Sequence, residues 1–331
     1  MTIKFNNVFV EGASTVAGLI EKEGPLRKYF DKTYDDYYFN ESSLELAEVK
    51  LQNDSIDILL KKIKRKKDII DLVIGGDLLN QITATCYAVK KYKTSFLGVY
   101  SACATTMESI IIGGTFIESG KINNCICTTS SHNLTSEKQY RNPIEYGAPK
   151  PKTATFTSTG GASIYLTSKE TNVKVTSGTI GTIVDLNWKD PNNMGAAMAP
   201  AAADTIYNHL KNNDEKVEDY DLILTGDLGL FGKEILKEYI NKQYKLKLDT
   251  NYNDCGVMLY DMEKQKEITA GGSGPVCSAL VNYSYVYKML KEGTFKKVML
   301  VSTGALFSPT FSYQKQSILG IAHAVTLEAN V

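Results

Sequence analysis

The chain has 331 residues, 43% of them apolar and 22% charged, enough to bury one large core or two fused ones, which excludes disorder as its main state. Lys+Arg and Asp+Glu cancel at 37 each, so there is no global field to draw the protein to nucleic acid, and an electrostatic partner must be met by a local patch. Six cysteines without a Cys-x-x-Cys pair fit reduced thiols better than a disulfide framework, and three histidines without a His/Cys cluster name no metal site.

In chain order, Met1 to Asn7 lacks the apolar core of a signal peptide, and no stretch approaches the ~18 apolar residues that span a bilayer; an intracellular, soluble chain is expected. After Gly24 and Pro25, the polar aromatic segment Tyr29 to Phe39 reads as an ordered loop or short helix that packs on its own domain or docks a partner. Ser42 and Glu45 form a capping box, and Leu44, Ala47, Leu51, Ile58 and Leu59 follow at helical spacing, predicting a helix from about 43 to 63. Its end, Lys61 to Lys67, is very basic: either a solvated helix end that complements the dipole, or a patch for an anionic membrane surface. The apolar runs Ile69–Ile74 and Phe96–Tyr100 predict buried strands, with a helix over about 104–119 and a strand from Cys125 to Thr129 behind them. Cys125 and Cys127 share one face of that strand, which disfavours a mutual disulfide and leaves buried thiols. Met194 to Ala203 opens a helix with small side chains, leaving room for close packing or for a ligand.

The chain also repeats itself. Asp71 to Leu78 recurs as Asp221 to Leu228, and the stretch from Glu118 to Ser130 resembles Lys291 to Thr303. Strands near 221–225 and 298–302 and a helix near 276–292 complete the second copy. So long a period argues for two similar halves about a pseudo-twofold axis, 1–170 and 171–331, whose loops meet at one site. Strands alternating with helices predict a layered, largely parallel α/β fold.

The sharpest chemical signal is Tyr100-Ser-Ala-Cys103-Ala-Thr-Thr-Met-Glu-Ser109, a cysteine where a strand turns into a helix. Unpaired N–H groups and the positive dipole end there favour thiolate, unless the cysteine is simply buried and structural.

The duplication and this motif together resemble the thiolase superfamily of thiolases and ketoacyl synthases over nearly the whole chain, and Cys103 matches the family's nucleophile. The resemblance implies a thiolase-like fold, layered α-β-α-β-α. Closer still, Gly75 to Gln81, Tyr100 to Ser109, Thr128 to Asn133, Met198 to Thr205 and Ala270 to Gly274 resemble a thiolase-like family of spore formers. Condensing enzymes hold the acyl oxygen with donors such as two imidazoles, or an imidazole and an amide. The ketoacyl-synthase histidine loop corresponds to Thr225-Gly-Asp227-Leu, which offers an acid, and the thiolase Gly-His-Pro loop to Gly271 to Gly274, which offers no imidazole. An unprotonated carboxylate opposes a developing oxyanion, so no enzyme activity and no catalytic residue are expected.

What the sporulation resemblance implies instead is binding of dipicolinic acid, pyridine-2,6-dicarboxylate, with its calcium, for uptake into the forming spore and release at germination. The residues it assigns to that ligand are Cys103, Ser131, His132, Asp227, Gly272, Ser273, Gly274 and His323, with no resident metal or cofactor. Asp77 and Asp227 each cap the turn behind them, or Asp227 orients an imidazole or approaches bound calcium. Arg141 pairs a ligand carboxylate or a surface acid, Asp204 follows the small-residue run, and His209 on a polar helix end is set aside. Implied partners are membrane-embedded sporulation proteins at the cytoplasmic face of the spore inner membrane, with the chain peripheral there, and a possible homodimer through the sheet near Cys103. The alternatives are residual acyl transfer by Cys103 and a scaffold with a vestigial pocket.

Overall fold

The structure is a computed structural model that describes residues 1–140 and 150–330. Its first copy of the repeat holds β1 (Thr2–Lys4), β2 (Phe9–Ala17), β3 (Lys32–Thr33), α1 (Leu44–Lys62), β4 (Leu72–Gly76), α2 (Thr83–Val89), β5 (Ser95–Gly98), α3 (Thr105–Glu118), β6 (Asn124–Ser131), α4 (Asn133–Tyr140), β7 (Phe156–Thr157) and β8 (Gly160–Thr167). The second begins with β9 (Val173–Ile180), α5 (Met194–Asn213), β10 (Leu222–Thr225), α6 (Gly229–Tyr244), β11 (Tyr252–Asp254), α7 (Cys255–Met258) and β12 (Gly272–Ser273). It ends with α8 (Pro275–Val281), one π-helical turn, α9 (Tyr287–Lys291), β13 (Lys297–Leu306), α10 (Pro309–Tyr313) and β14 (Leu319–Ala329).

The main sheet runs β11-β10-β13-β14-β9-β2-β8-β6-β4-β5, so the first five strands mirror the last five. Pairing is parallel at both flanks (β5-β4-β6 and β11-β10-β13) and antiparallel through β8, β2, β9 and β14. The expectation of a largely parallel sheet therefore holds only for the flanks, because β8 and β14 come back antiparallel beside β6 and β13, a pairing that needs no crossover. α3 packs against β4 and β6 and also against β9, β13 and β14, with α8 on β2, β6 and β8. These two helices form the middle layer, while α1 and α2 cover one outer face and α5 and α6 the other. Met107, Ile110 and Ile111 of α3 are buried there, each contributing about 1.5–3 kcal/mol.

The repeat noticed in the sequence does equivalent local work. Asp71 accepts the Asn123 and Asn124 N–H groups at 2.8 and 3.2 Å, and Asp221 accepts those of Lys296 and Lys297 at 2.6 and 2.9 Å. Each ties the start of one parallel strand to the start of its neighbour. Gly120 and Gly293 end the middle-layer helices at φ 68° and 72°, the left-handed cap that glycine takes without a Cβ clash.

Three local expectations change. The N-cap of α1 is Ser43, whose Oγ accepts Leu46 N–H at 3.2 Å, one residue beyond the expected Ser42. β5 is an exposed edge strand with Leu97 38% accessible, not a buried one, because nothing described pairs beyond it. The tyrosine-rich segment folds onto both halves: Phe39 is fully buried with Val16, Ala47 and Leu51, Tyr34 donates to Asp54 at 2.5 Å, and Tyr29 packs edge-on against Tyr285 of the second half.

Candidate functional site

Cys103 stands at the C-terminal ends of the parallel strands, between β5 and α3. The residue before it, Ala102, is held at φ 50°, a left-handed conformation that costs a side-chain-bearing residue about 1–2 kcal/mol. Two bonds pin this turn: Ser101 N–H donates to Thr105 Oγ1 at 3.0 Å, and that hydroxyl donates to the Ala102 carbonyl at 2.8 Å.

Asp227 arrives from the turn after β10. Its carboxylate accepts the Thr303 hydroxyl at 2.7 Å, the Ser273 hydroxyl at 3.0 Å and Gly274 N–H at 3.1 Å. Gly274 sits at φ 96°, and a Cβ there would come within 2.8 Å of Ser131 Oγ, so glycine is required for its N–H to turn toward Asp227. The Cys103 thiol lies beside the same carboxylate, near Ser273 and Gly274. Burial, then the charge of Asp227, pushes the Cys103 thiol well above its ordinary range, and burial raises Asp227 in spite of its donors. Burial, and Asp227 after it, work against the thiolate that the partial positive charge of the helix end favours.

A cavity of about 290 Å³ opens over Cys103 and Ser273. Tyr100, Tyr140, Phe307 and Tyr313 give it aromatic walls, and Met194 and Met198 from the small-residue start of α5 form another side. The Tyr100 and Tyr140 hydroxyls lie 3.2 Å apart, and Tyr140 also donates to the Leu78 carbonyl at 2.5 Å. Among the described lining residues the formal charge is carried by Glu137, with Lys150 Nζ 2.6 Å from it. No group of three or more His, Cys, Asp or Glu is placed to hold a metal among the described residues.

Of the residues expected to meet a ligand, Cys103 and Ser273 line this cavity, and Asp227 lies directly behind them. Gly274 spends its N–H on Asp227, and Gly272 is buried in a short parallel ladder opposite Phe156. Ser131 donates to the Ser158 carbonyl at 2.8 Å, below the surface of the cavity. The histidines point elsewhere. His132 is buried with Nε2 2.9 Å from the Tyr37 carbonyl and Nδ1 accepting Leu134 N–H, since the aromatic segment folds over it. His323 lies in β14, where Nδ1 accepts Gly181 N–H at 3.2 Å and burial brings its pKa to about 4. Neither is among the described walls. His209 is bound by Thr179 and Thr326 inside the second half. Asp204 accepts from Thr182 and Tyr244, and Arg141 lies outside the described residues.

Asp77 caps its own turn, accepting Leu79 N–H at 2.8 Å and both the N–H and the hydroxyl of Thr85 at 2.7 and 2.6 Å. In the second half that task belongs to Asp254 at the end of β11, which accepts Leu228 and Gly229 N–H at 3.0 Å each. Sequence reasoning missed Asp254 and Thr303 as supports of the site. Thr303 was legible, because the second repeated stretch ends on it; Asp254 has no counterpart in the repeat to announce it.

A strand-to-helix cysteine met by loops of the mirrored half, in a layered helix-sheet fold, defines a thiolase-like protein, from which the acid at Asp227 departs. Solved structures agree on the fold. The 3-oxoacyl-[acyl-carrier-protein] synthase III of Aquifex aeolicus VF5 superposes with a TM-score of 0.60 at 12% identity, over 97% of this chain and 99% of that one. A single-substitution variant of OleA from Xanthomonas campestris does so with a TM-score of 0.63 at 13% identity, over 98% and 99%. Within that class, the stage V sporulation protein AD family model matches residues 1–328. The stage V sporulation protein AD of Bacillus subtilis (strain 168) is 44% identical over 321 residues, 97% of this chain and 94% of that protein. The chain belongs to the stage V sporulation protein AD family.

Proposed function

We propose that this sporulation protein is a non-catalytic receptor for dipicolinic acid, serving its uptake into the developing spore and its release at germination. It would act as the soluble component of a transport complex with other stage V sporulation A proteins, peripheral to the cytoplasmic face of the spore inner membrane. Its division into halves at residues 170 and 171 belongs to this reading, since loops of both copies meet at Cys103.

The observation that carries it is Asp227 against Cys103 inside an aromatic-walled cavity. A nucleophilic thiol needs a partner that removes its proton, whereas a carboxylate in contact with it disfavours thiolate. What remains is an uncharged polar surface, the Cys103 sulfur and the Ser273 and Tyr100 hydroxyl oxygens, between rings that suit a flat aromatic ligand. The near-neutral lining favours the calcium salt, whose charges cancel, over the free dianion.

Calorimetric titration of dipicolinate, with and without calcium, into wild type and Cys103→Ala tests this, with pyridine-2-carboxylate as control. Saturable binding that weakens in the variant and for the monocarboxylate is expected; silence up to millimolar ligand overturns the reading. The cysteine in a condensing-enzyme fold keeps one rival alive, residual acyl transfer. Incubation with acyl-coenzyme A and intact mass analysis would reveal it as an acyl adduct on Cys103, which the receptor reading predicts to be absent.

A further inference from the structure

The basic run after α1 takes no part in the site, and the fold sorts its cations into two sets. Lys62 and Arg65 turn inward: Lys62 Nζ reaches the Ala13 carbonyl at 2.7 Å and Asp31 at 2.8 Å, and Arg65 Nε reaches Glu11 at 2.9 Å. Lys61, Lys64, Lys66 and Lys67 are exposed, with no ion-pair partner among the described residues. The same holds for Lys93 and Lys121 on the turns before β5 and β6. Those turns are neighbours of the run, because Thr94 donates to the Ile70 carbonyl at 2.7 Å and Asn124 to the Ile69 carbonyl at 3.1 Å. Six free lysines therefore share one end of the first half, the end where β4, β5 and β6 begin. Ile69 sits among them, 38% exposed.

The mirrored loop shows that this charge is not a requirement of the fold. After α5, the corresponding connection to β10 carries Asp214, Glu215, Glu218, Asp219 and Asp221 against Lys216 alone. The first connection itself carries Lys64, Arg65, Lys66 and Lys67 against Asp68 and Asp71, so one architecture presents a basic connection in one copy and an acidic one in the other. Dipole complementation at the end of α1 accounts for cations in its last turn, not for Lys66, Lys67, Lys93 and Lys121 beyond it.

We propose that the Lys61–Lys67 face docks directly on an anionic lipid bilayer. Lysines present compact charges without the planar fork that recognises one phosphate geometry, and exposed apolar side chains lie beside them, Ile69 in the run and Phe116 next to Lys121, an arrangement matched to a diffuse headgroup layer with apolar groups at its boundary. The cavity opens at the opposite, C-terminal ends of the same strands, so a chain docked this way holds the cavity toward the aqueous phase.

The proposal deepens the membrane-peripheral part of the proposed function, and titration of dipicolinate in free solution keeps failure of the ligand reading separate from it. The test is co-sedimentation of the full chain with vesicles of phosphatidylcholine alone or mixed with phosphatidylglycerol. Salt-sensitive binding to the mixed vesicles only is expected. The K61Q/K64Q/K66Q/K67Q variant should lose several hundredfold in affinity, at about fivefold for each of the four lysines, with an unchanged melting curve. The charge-matched K216Q/K242Q/K245Q/K315Q variant should bind as wild type does. Binding to neither vesicle, equal binding to both, or undiminished binding by the first variant overturns the proposal, as does capture of duplex DNA by this face without vesicle binding.

Discussion

Asp77 and Asp227 end corresponding strands of a duplicated unit, yet one is a structural cap and the other stands against a thiol beside the cavity. The difference follows from who caps the next helix. In the first half Asp77 holds Leu79 and Thr85 itself. In the second, Asp254 takes the N–H groups of Leu228 and Gly229, so Asp227 is free to gather Thr303, Ser273, Gly274 and Cys103. Reassigning one local hydrogen-bonding task releases a carboxylate for the site without altering the fold around it.

The comparison breaks most visibly at Asp77. Asp77→Ala strips three donors of a buried acceptor and should cost about 3 kcal/mol in urea unfolding; a loss as small as that of a surface substitution would show that the cap is dispensable.

The acids behind Asp77 give a pH dependence. Burial, with the charge of Asp77 second, raises Glu48 to about 8. Folded Glu48 therefore keeps its proton where the unfolded chain has lost it, and the folded state binds more protons between about 4.5 and 8. Its stabilising contribution is full below the unfolded value and declines as pH rises toward 8, by roughly 1 kcal/mol per pH unit. Glu21 and Asp254, raised to about 7 mainly by burial, act in the same direction. Glu48→Gln should flatten the slope of stability against pH in denaturant melts, and an unchanged slope would remove Glu48 from the account.

At Asp227 the effect is chemical. Asp227→Asn removes the charge beside Cys103 and should speed its alkylation by iodoacetamide about tenfold near pH 8, as read by intact mass, whereas Asp77→Asn should leave that rate alone. Equal rates in the two variants would mean that burial by itself controls the thiol.

The smallest effect is at Ser273, where Ser273→Ala deletes one of several donors to Asp227 and should cost about 1 kcal/mol or less, with a modest rise of the Asp227 pKa detectable by carboxylate titration.

The sequence by itself determined the duplication, the strand-Cys-helix turn at Cys103 and the acid at Asp227, because each is written in local residue patterns: apolar runs, glycine stops and a repeated Asp-to-Asp spacing. Capping glycines such as Gly120 and Gly293 were legible for the same reason. The tertiary structure alone decided which of those residues meet. His132 follows β6 and His323 lies within β14, yet both His132 nitrogens are taken by Tyr37 and Leu134, and His323 Nδ1 by Gly181. Those partners come from a loop folded back across the sheet, from the following helix turn and from a neighbouring strand, relations that sequence spacing does not encode. Nor does spacing reveal that Asp254, 27 residues beyond Asp227, takes over its capping bonds, or that Asp227 reaches Cys103 from the other half of the chain. Secondary structure follows from the side-chain preferences of neighbours, whereas hydrogen-bond partners and charge neighbours are set by which elements pack together. Here the packing of the two halves brings a carboxylate to a thiol.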